Sequence, residues 1–342
     1  MTARDYAGPA FLSIGFRPFF LGGAAWAATA MVIWIGILAG WWLVAGDYGA
    51  VAWHAHEFLF GYIGAVMTGF LLTVVPNWTG RLPVRGRPLL ALFLLWLVGR
   101  AALVFSDTIG VIPAATVDSL FLLTLAAVAL REVIAGRNWR NLKVVGIIGL
   151  LAATNILFHA EVIATGVADY AARAATALVL ILIMLIGGRI IPSFTRNWLV
   201  KQGVARLPVP FGRFDATSIV VAAAALVSWV AAPGAVATGV ALLVAGAVQT
   251  VRLLRWAGRP TWREPLLLIL HVGYAFVPIG FFAVGAAALG PDVIPPSGAL
   301  HVWTAGGMVL MTLAVMTRAT LGHTGRDLVA GGATCAIYLG LA

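Results

Sequence analysis

Long apolar stretches recur along the chain, at positions 19 to 46, 51 to 76, 88 to 106, 109 to 135, 142 to 165, 170 to 192, 215 to 232, 234 to 255, 265 to 289 and 297 to 320. Each holds about 20 residues or more, enough to cross roughly 30 Å of hydrocarbon as a helix rising about 1.5 Å per residue. Strands of a membrane barrel would alternate polar and apolar over about ten residues. These runs are instead apolar on every side and rich in Leu, Ala and Gly. The pattern predicts an all-α fold, a polytopic transmembrane helical bundle of about 10 to 12 spans, as a single integral membrane domain over 1–342. A partial eleventh span starts near Leu328 and breaks off at Ala342 within apolar sequence, so a C-terminal hairpin is expected to be missing. The first run is too long for a signal-peptide core and lacks a cleavage site, and reads as a retained span.

Composition agrees: 62% of the 342 residues are hydrophobic and 10% charged, against roughly a quarter charged in soluble domains. The net charge of +10 raises nucleic acid as a partner. The basic residues, however, sit in short clusters between apolar runs rather than along a polar face, which excludes that class and marks topology instead. One alternate set of joints holds Arg4 and Arg17; Arg81, Arg85 and Arg87; Arg131, Arg137, Arg140 and Lys143; Arg189, Arg196, Lys201, Arg206 and Arg213; Arg252, Arg255, Arg259 and Arg263; Arg318 and Arg326. The other set has only Arg100 and Arg173, a division of 20 against 2 of the 22 basic residues. The positive-inside rule then puts the N-terminus and the basic joints in the cytoplasm. Cys335 is the single cysteine, which rules out a disulfide framework or a cysteine-based zinc site within one chain.

An internal repeat is also visible. The second span runs from His56 to Thr79-Gly80-Arg81 and the tenth from His301 to Thr324-Gly325-Arg326, both over 25 residues, with Gly61 and Gly306 in matching positions. The end of the sixth span, Pro192-Ser193-Phe194-Thr195-Arg196, is a weaker third copy. Three units of four helices follow, over 1–141, 142–263 and an incomplete 264–342.

Ionisable side chains are costly inside a bilayer, so each intramembrane His or Glu is a functional candidate. His54 and His56 open the second span, His159 and Glu161 lie near the outer end of the fifth, and His301 opens the tenth on the same side. His271 and His323 fall toward the other face, where they form a possible second site. Imidazole is a common ligand for haem iron and copper. On a helix His54 and His56 are about 200° apart and serve different partners. His56 with its register mate His301 is the expected axial pair for haem. His54 lies one turn from Glu57, where His159 and Glu161 would complete a copper-like or proton-handling site. Histidines at span ends also commonly do no more than hydrogen-bond at the interface, and that bland reading stands beside this one. Arg100 and Arg189 suit haem propionates or another anion, although Arg189 also fits snorkelling to headgroups. Gly36 and Gly40 in the first span suit close helix packing. No phosphate-cradling loop, serine elbow or zinc-protease helix motif is present.

The stretches Gly15-Phe16-Arg17-Pro18-Phe19-Phe20, Trp53-His54-Ala55-His56-Glu57, Pro76-Asn77-Trp78-Thr79-Gly80, Gly188-Arg189-Ile190-Ile191-Pro192-Ser193-Phe194-Thr195 and Met316-Thr317-Arg318-Ala319-Thr320-Leu321-Gly322-His323-Thr324-Gly325-Arg326 resemble the NnrS family of bacterial membrane proteins. The resemblance runs from about residue 11 to 330. It implies a protein of the cytoplasmic (inner) membrane that carries haem, of the b type, and copper, and that acts in nitric oxide metabolism, denitrification and defence against nitrosative stress. Members typically have about 12 spans. The layout is also similar to the catalytic subunit of haem-copper oxidases and nitric oxide reductases, with three four-helix units and low-spin haem histidines on the second and tenth spans. The sixth and seventh spans here carry no histidine where those enzymes hold copper, so any copper falls to His54 and His159. Expected partners are the lipid bilayer, nitric oxide or a similar small ligand, and an electron donor. Two other readings stay open: a proton- or metal-coupled transporter or channel, and an assembly factor for respiratory oxidases. Whether the chain turns over a substrate is not decided by its sequence.

Overall fold

A computed structural model describes residues 6–44 and 46–342, with the side chains of Asp47 and Asn77 left aside; Arg4 lies outside the described residues. The chain is 81% helical, with no strand among the described residues. The long helices are α1 (Phe16–Leu38), α2 (Ala50–His56) continuing through a π-helical turn (Glu57–Tyr62) into α3 (Ile63–Thr79), α4 (Arg87–Val104), and, after a short α5 (Ser106–Ile109), α6 (Val111–Ala135). There follow α7 (Leu142–Thr165), α8 (Asp169–Lys201), α9 (Arg213–Ala231), α10 (Val236–Leu254), α11 (Pro265–Leu289), and α12 (Pro296–His301) with a π-helical turn (Val302–Met308) into α13 (Val309–His323). Ten of these segments are long and apolar enough to cross a membrane, one for each expected run; the C-terminal stretch gives the shorter α14 (Gly332–Leu341). The protein is a multi-pass membrane protein whose helices contact lipid.

The first span ends sooner than its hydropathy suggests. Gly40 adopts φ +72°, which stops the helix, and a Cβ on Gly36 would meet the ring of Trp42. The two glycines therefore make a chain turn, not a helix–helix contact.

The chain divides into two compact units, Met1–Ala175 and Thr176–Ala342, with the division inside α8. In the first unit the second span is the most enclosed, 78% of its apolar window being buried against 17% for the first. The Gly15-to-Phe20 stretch fastens α1 to its neighbours: the Phe16 amide donates to Thr73 Oγ1 of the second span at 3.1 Å, and Phe19 packs against Phe93 and Trp96 of α4 and Phe121 of α6. In the second unit, Trp303 Nε1 donates to the Val277 carbonyl at 3.0 Å, tying the π-helical turn to α11.

The matched histidines share more than spacing. Each is followed at once by a π-helical turn, a feature that recurs where helices carry function. Both spans also end alike: Thr79 and Thr324 return their hydroxyls to the carbonyls of Val75 and Thr320, and Gly80 and Gly325 take φ +69° and +70°, where a glycine costs no steric strain.

Arg252 is not a loop charge. It is fully buried in α10, where it donates from Nε to Asp215 Oδ1 at 3.2 Å and from Nη1 to the Met184 carbonyl at 3.1 Å and Tyr274 Oη at 2.8 Å. Tyr274 then donates to Gln249 Oε1 at 2.8 Å. Removing one partner of a buried ion pair strands the other's charge, at a cost of about 3–5 kcal/mol. Arg252→Met is thus expected to lower the thermal unfolding midpoint of the detergent-purified protein sharply. An unchanged midpoint would show that Asp215 does not depend on it.

Candidate metal centre

The first unit gathers its polar side chains at one place. His56 closes α2, Glu57 opens the π-helical turn, Arg100 lies in α4, Asp118 in α6, and Asn155 and His159 one turn apart in α7; Tyr48 comes from the 3-10 turn Gly46–Tyr48. None of these seven residues is more than 3% exposed, so their polar atoms depend on partners within the protein; Arg100 Nε has none among the described residues.

The partners are specific. Arg100 Nη1 donates to both oxygens of Glu57 at 2.8 Å, and its Nη2 pairs with Asp118 Oδ1. Trp26 Nε1 donates to Glu57 Oε2 at 2.6 Å. The other oxygen of Asp118, Oδ2, accepts from Asn155 Nδ2 at 2.8 Å and faces His159 Nε2 at 3.0 Å and His56 Nε2 at 3.1 Å. Tyr48 Oη bonds His159 Nδ1. The two imidazoles lie 4.8 Å apart, centre to centre.

These contacts assign protons. A carboxylate only accepts, so His159 Nε2 carries a proton toward Asp118, and Nδ1 accepts from the Tyr48 hydroxyl. His56 is different, because Glu57 Oε1 at 3.3 Å, Asn155 Oδ1 at 2.9 Å and Asp118 Oδ2 are all acceptors. Its ring must hold a proton on both nitrogens, accept a proton from a neutral carboxyl group, or give a lone pair to a cation. Two carboxylates surround one guanidinium, so with neutral imidazoles and both acids ionised the cluster is one positive charge short. A net charge buried in a low dielectric is expensive, and one further proton or a bound metal cation would cancel it.

His56, Asp118 and His159 each offer a ligand atom within 4.8 Å of the others, a group of three that could hold a metal ion. Two imidazoles and one carboxylate suit copper, iron or zinc. Arg100 occupies the far oxygen of Asp118 and leaves Oδ2 to point at the histidines, an orienting contact of the kind that supports metal ligands. Gly61 makes this possible: a Cβ there would lie 2.5 Å from Arg100 Nη1 and 2.9 Å from Glu57 Oε2.

The other sequence candidates are placed differently. His54 is half-buried and stacks on Trp34 with ring centres 4.4 Å apart. Glu161 accepts the Ala171 amide at the start of α8. Neither belongs to the three-ligand group. In the second unit, His301 is exposed, with Nδ1 on the Ser297 carbonyl at 2.7 Å. His271 is buried against Thr195 Oγ1 at 2.9 Å, and His323 lies exposed at the end of α13. Arg189 lies within α8. Sequence reasoning missed Asp118, Asn155 and Tyr48. The signal for Asp118 was an acid set inside an apolar run; Asn155 and Tyr48 carry none that spacing reveals.

A family model described as NnrS protein matches residues 10–342. No curated protein and no solved structure matches the chain.

If Arg100 and Asp118 act as one unit, a double-mutant cycle of Arg100→Met with Asp118→Asn should return a coupling energy of roughly 1–3 kcal/mol in unfolding experiments. Simple additivity of the two losses would show that they do not share the cluster.

Proposed function

The chain belongs to the NnrS family, and from this premise we propose that it is a copper- and haem-bearing protein of the bacterial inner membrane that binds nitric oxide or a similar small ligand, or relays electrons, in nitrosative stress defence. The N-terminus and the arginine-rich joints would face the cytoplasm. The observation that supports the metal part is the convergence of His56, Asp118 and His159, each with a ligand atom within 4.8 Å of the others, beside two carboxylates that share one guanidinium. A monovalent copper ion held by these three residues would add one positive charge to the cluster. For His159 to ligate through Nε2 as a neutral imidazole, its proton would move to Nδ1, where Tyr48 Oη would accept it and keep the ring oriented. Bound copper would offer a coordination position for a diatomic ligand and one-electron redox chemistry. The chain's own residues orient the ligands, balance the charge and exclude water.

A second assignment makes His56 and His301 each a haem ligand, and draws on the π-helical turn that follows each histidine. His301 suits ligation because its Nδ1 is engaged by Ser297, leaving Nε2 as the ligand atom in the manner usual for metal-bound histidines.

Metal analysis and an absorption spectrum of the purified protein separate these assignments. Stoichiometric copper is expected in the wild type and in His54→Ala, and its loss in His56→Ala, Asp118→Asn and His159→Ala. Copper lost in His54→Ala alone would defeat the assignment. A Soret band altered by both His56→Ala and His301→Ala would give His56 to haem. A protein without metal or chromophore that drives pH-dependent flux in liposomes would be a transporter instead.

A further inference from the structure

At the opposite end of the second span, where α3 closes on Thr79-Gly80-Arg81, the first unit has a cavity of about 560 Å³ lined by Arg81, Arg85, Arg131 and Glu132. Arg81 Nε and Arg131 Nη2 each bond a different oxygen of Glu132 at 2.6 Å. Both guanidinium side chains remain accessible, at 45% and 66% exposure. Arg85 leans over the ring of Tyr6, 5.5 Å from its centre, and its Nη1 is buried without a hydrogen-bond partner among the described residues. Three guanidiniums against one carboxylate leave two positive charges for an anion to meet.

Beside it, between α3 and α6, lies a crevice of about 10 Å³, room for about one water molecule, walled by Leu72, Val75, Leu125, Val128 and Ala129 and sharing Leu82, Val84 and Glu132 with the cavity. The cavity also sits at the ends of two membrane-spanning segments, where headgroups meet water.

The geometry points to a binding site for the headgroup of one anionic phospholipid, its phosphate held by Arg81, Arg85 and Arg131. Basic pockets between transmembrane helices take anionic headgroups in this way, each cation near the surface contributing about 1 kcal/mol, or roughly fivefold in affinity.

Native mass spectrometry of the detergent-purified full chain tests this, with phosphatidylglycerol and phosphatidylcholine of identical acyl chains as probes. The wild type should retain the anionic lipid at least tenfold better. Arg81→Gln with Arg131→Gln should reduce that preference to near parity. Equal retention of both lipids by the wild type would overturn the site, without any variant having to fold. Stabilisation by inorganic phosphate equal to that by the anionic lipid would overturn the lipid assignment in favour of a soluble anion.

Discussion

Arg100 reaches across the first unit to two carboxylates on different segments, Glu57 beside the π-helical turn and Asp118 in α6. In water such pairs contribute little. Sealed from solvent, each partner becomes an obligation on the others, because a charge left alone is far more costly than the pair is worth. The route of α4, the orientation of Asp118 and the burial of both histidines follow from satisfying that obligation. Since one guanidinium cannot balance two ionised carboxylates, the cluster has room for one more positive charge, a proton or a metal ion, and stability and chemistry come to depend on the same atoms.

The second unit meets a similar problem with the balance reversed. Asp215 pairs with Arg252 and lies 3.9 Å from Arg255 Nη2, and Arg252 Nη1 reaches Tyr274 and the Met184 carbonyl. Tyr274 passes the chain on to Gln249, whose amide donates to the Ser218 carbonyl at 2.9 Å. This network ties α8 through α11 together and offers no set of metal-binding side chains. Two buried arginines thus serve different ends, and the count of acids around each tells them apart.

The helical spans were legible because the bilayer imposes their length and their uniform apolarity, and every expected run became one membrane-length helix. The site was half legible. His56, His159, Glu57 and Arg100 stand out as ionisable residues at membrane depth, but spacing along a helix cannot say which neighbouring helix a ring will face. His54 thus looked like a partner for His159, while the structure stacks it on Trp34. Asp118 was readable in principle, as a lone acid among apolar neighbours, yet attention to imidazoles passes over it. Arg252 was misread for the opposite reason: it sits close to a basic joint, and only its packing shows that it belongs to the interior. The π-helical turns have no sequence signature; they are paired features of the backbone alone.

Gly61 and Gly306 occupy matching places in the two related spans, and each leaves room for something different. The space beside Gly61 holds Arg100 and Glu57, whereas a Cβ on Gly306 would lie 2.3 Å from the ring of Phe276. The same place after each histidine thus has different contents, one admitting charge and the other an aromatic ring. A methyl group at position 61 would have to push the guanidinium and the carboxylate it grips, so the smallest residue in the span sets where the buried guanidinium can rest.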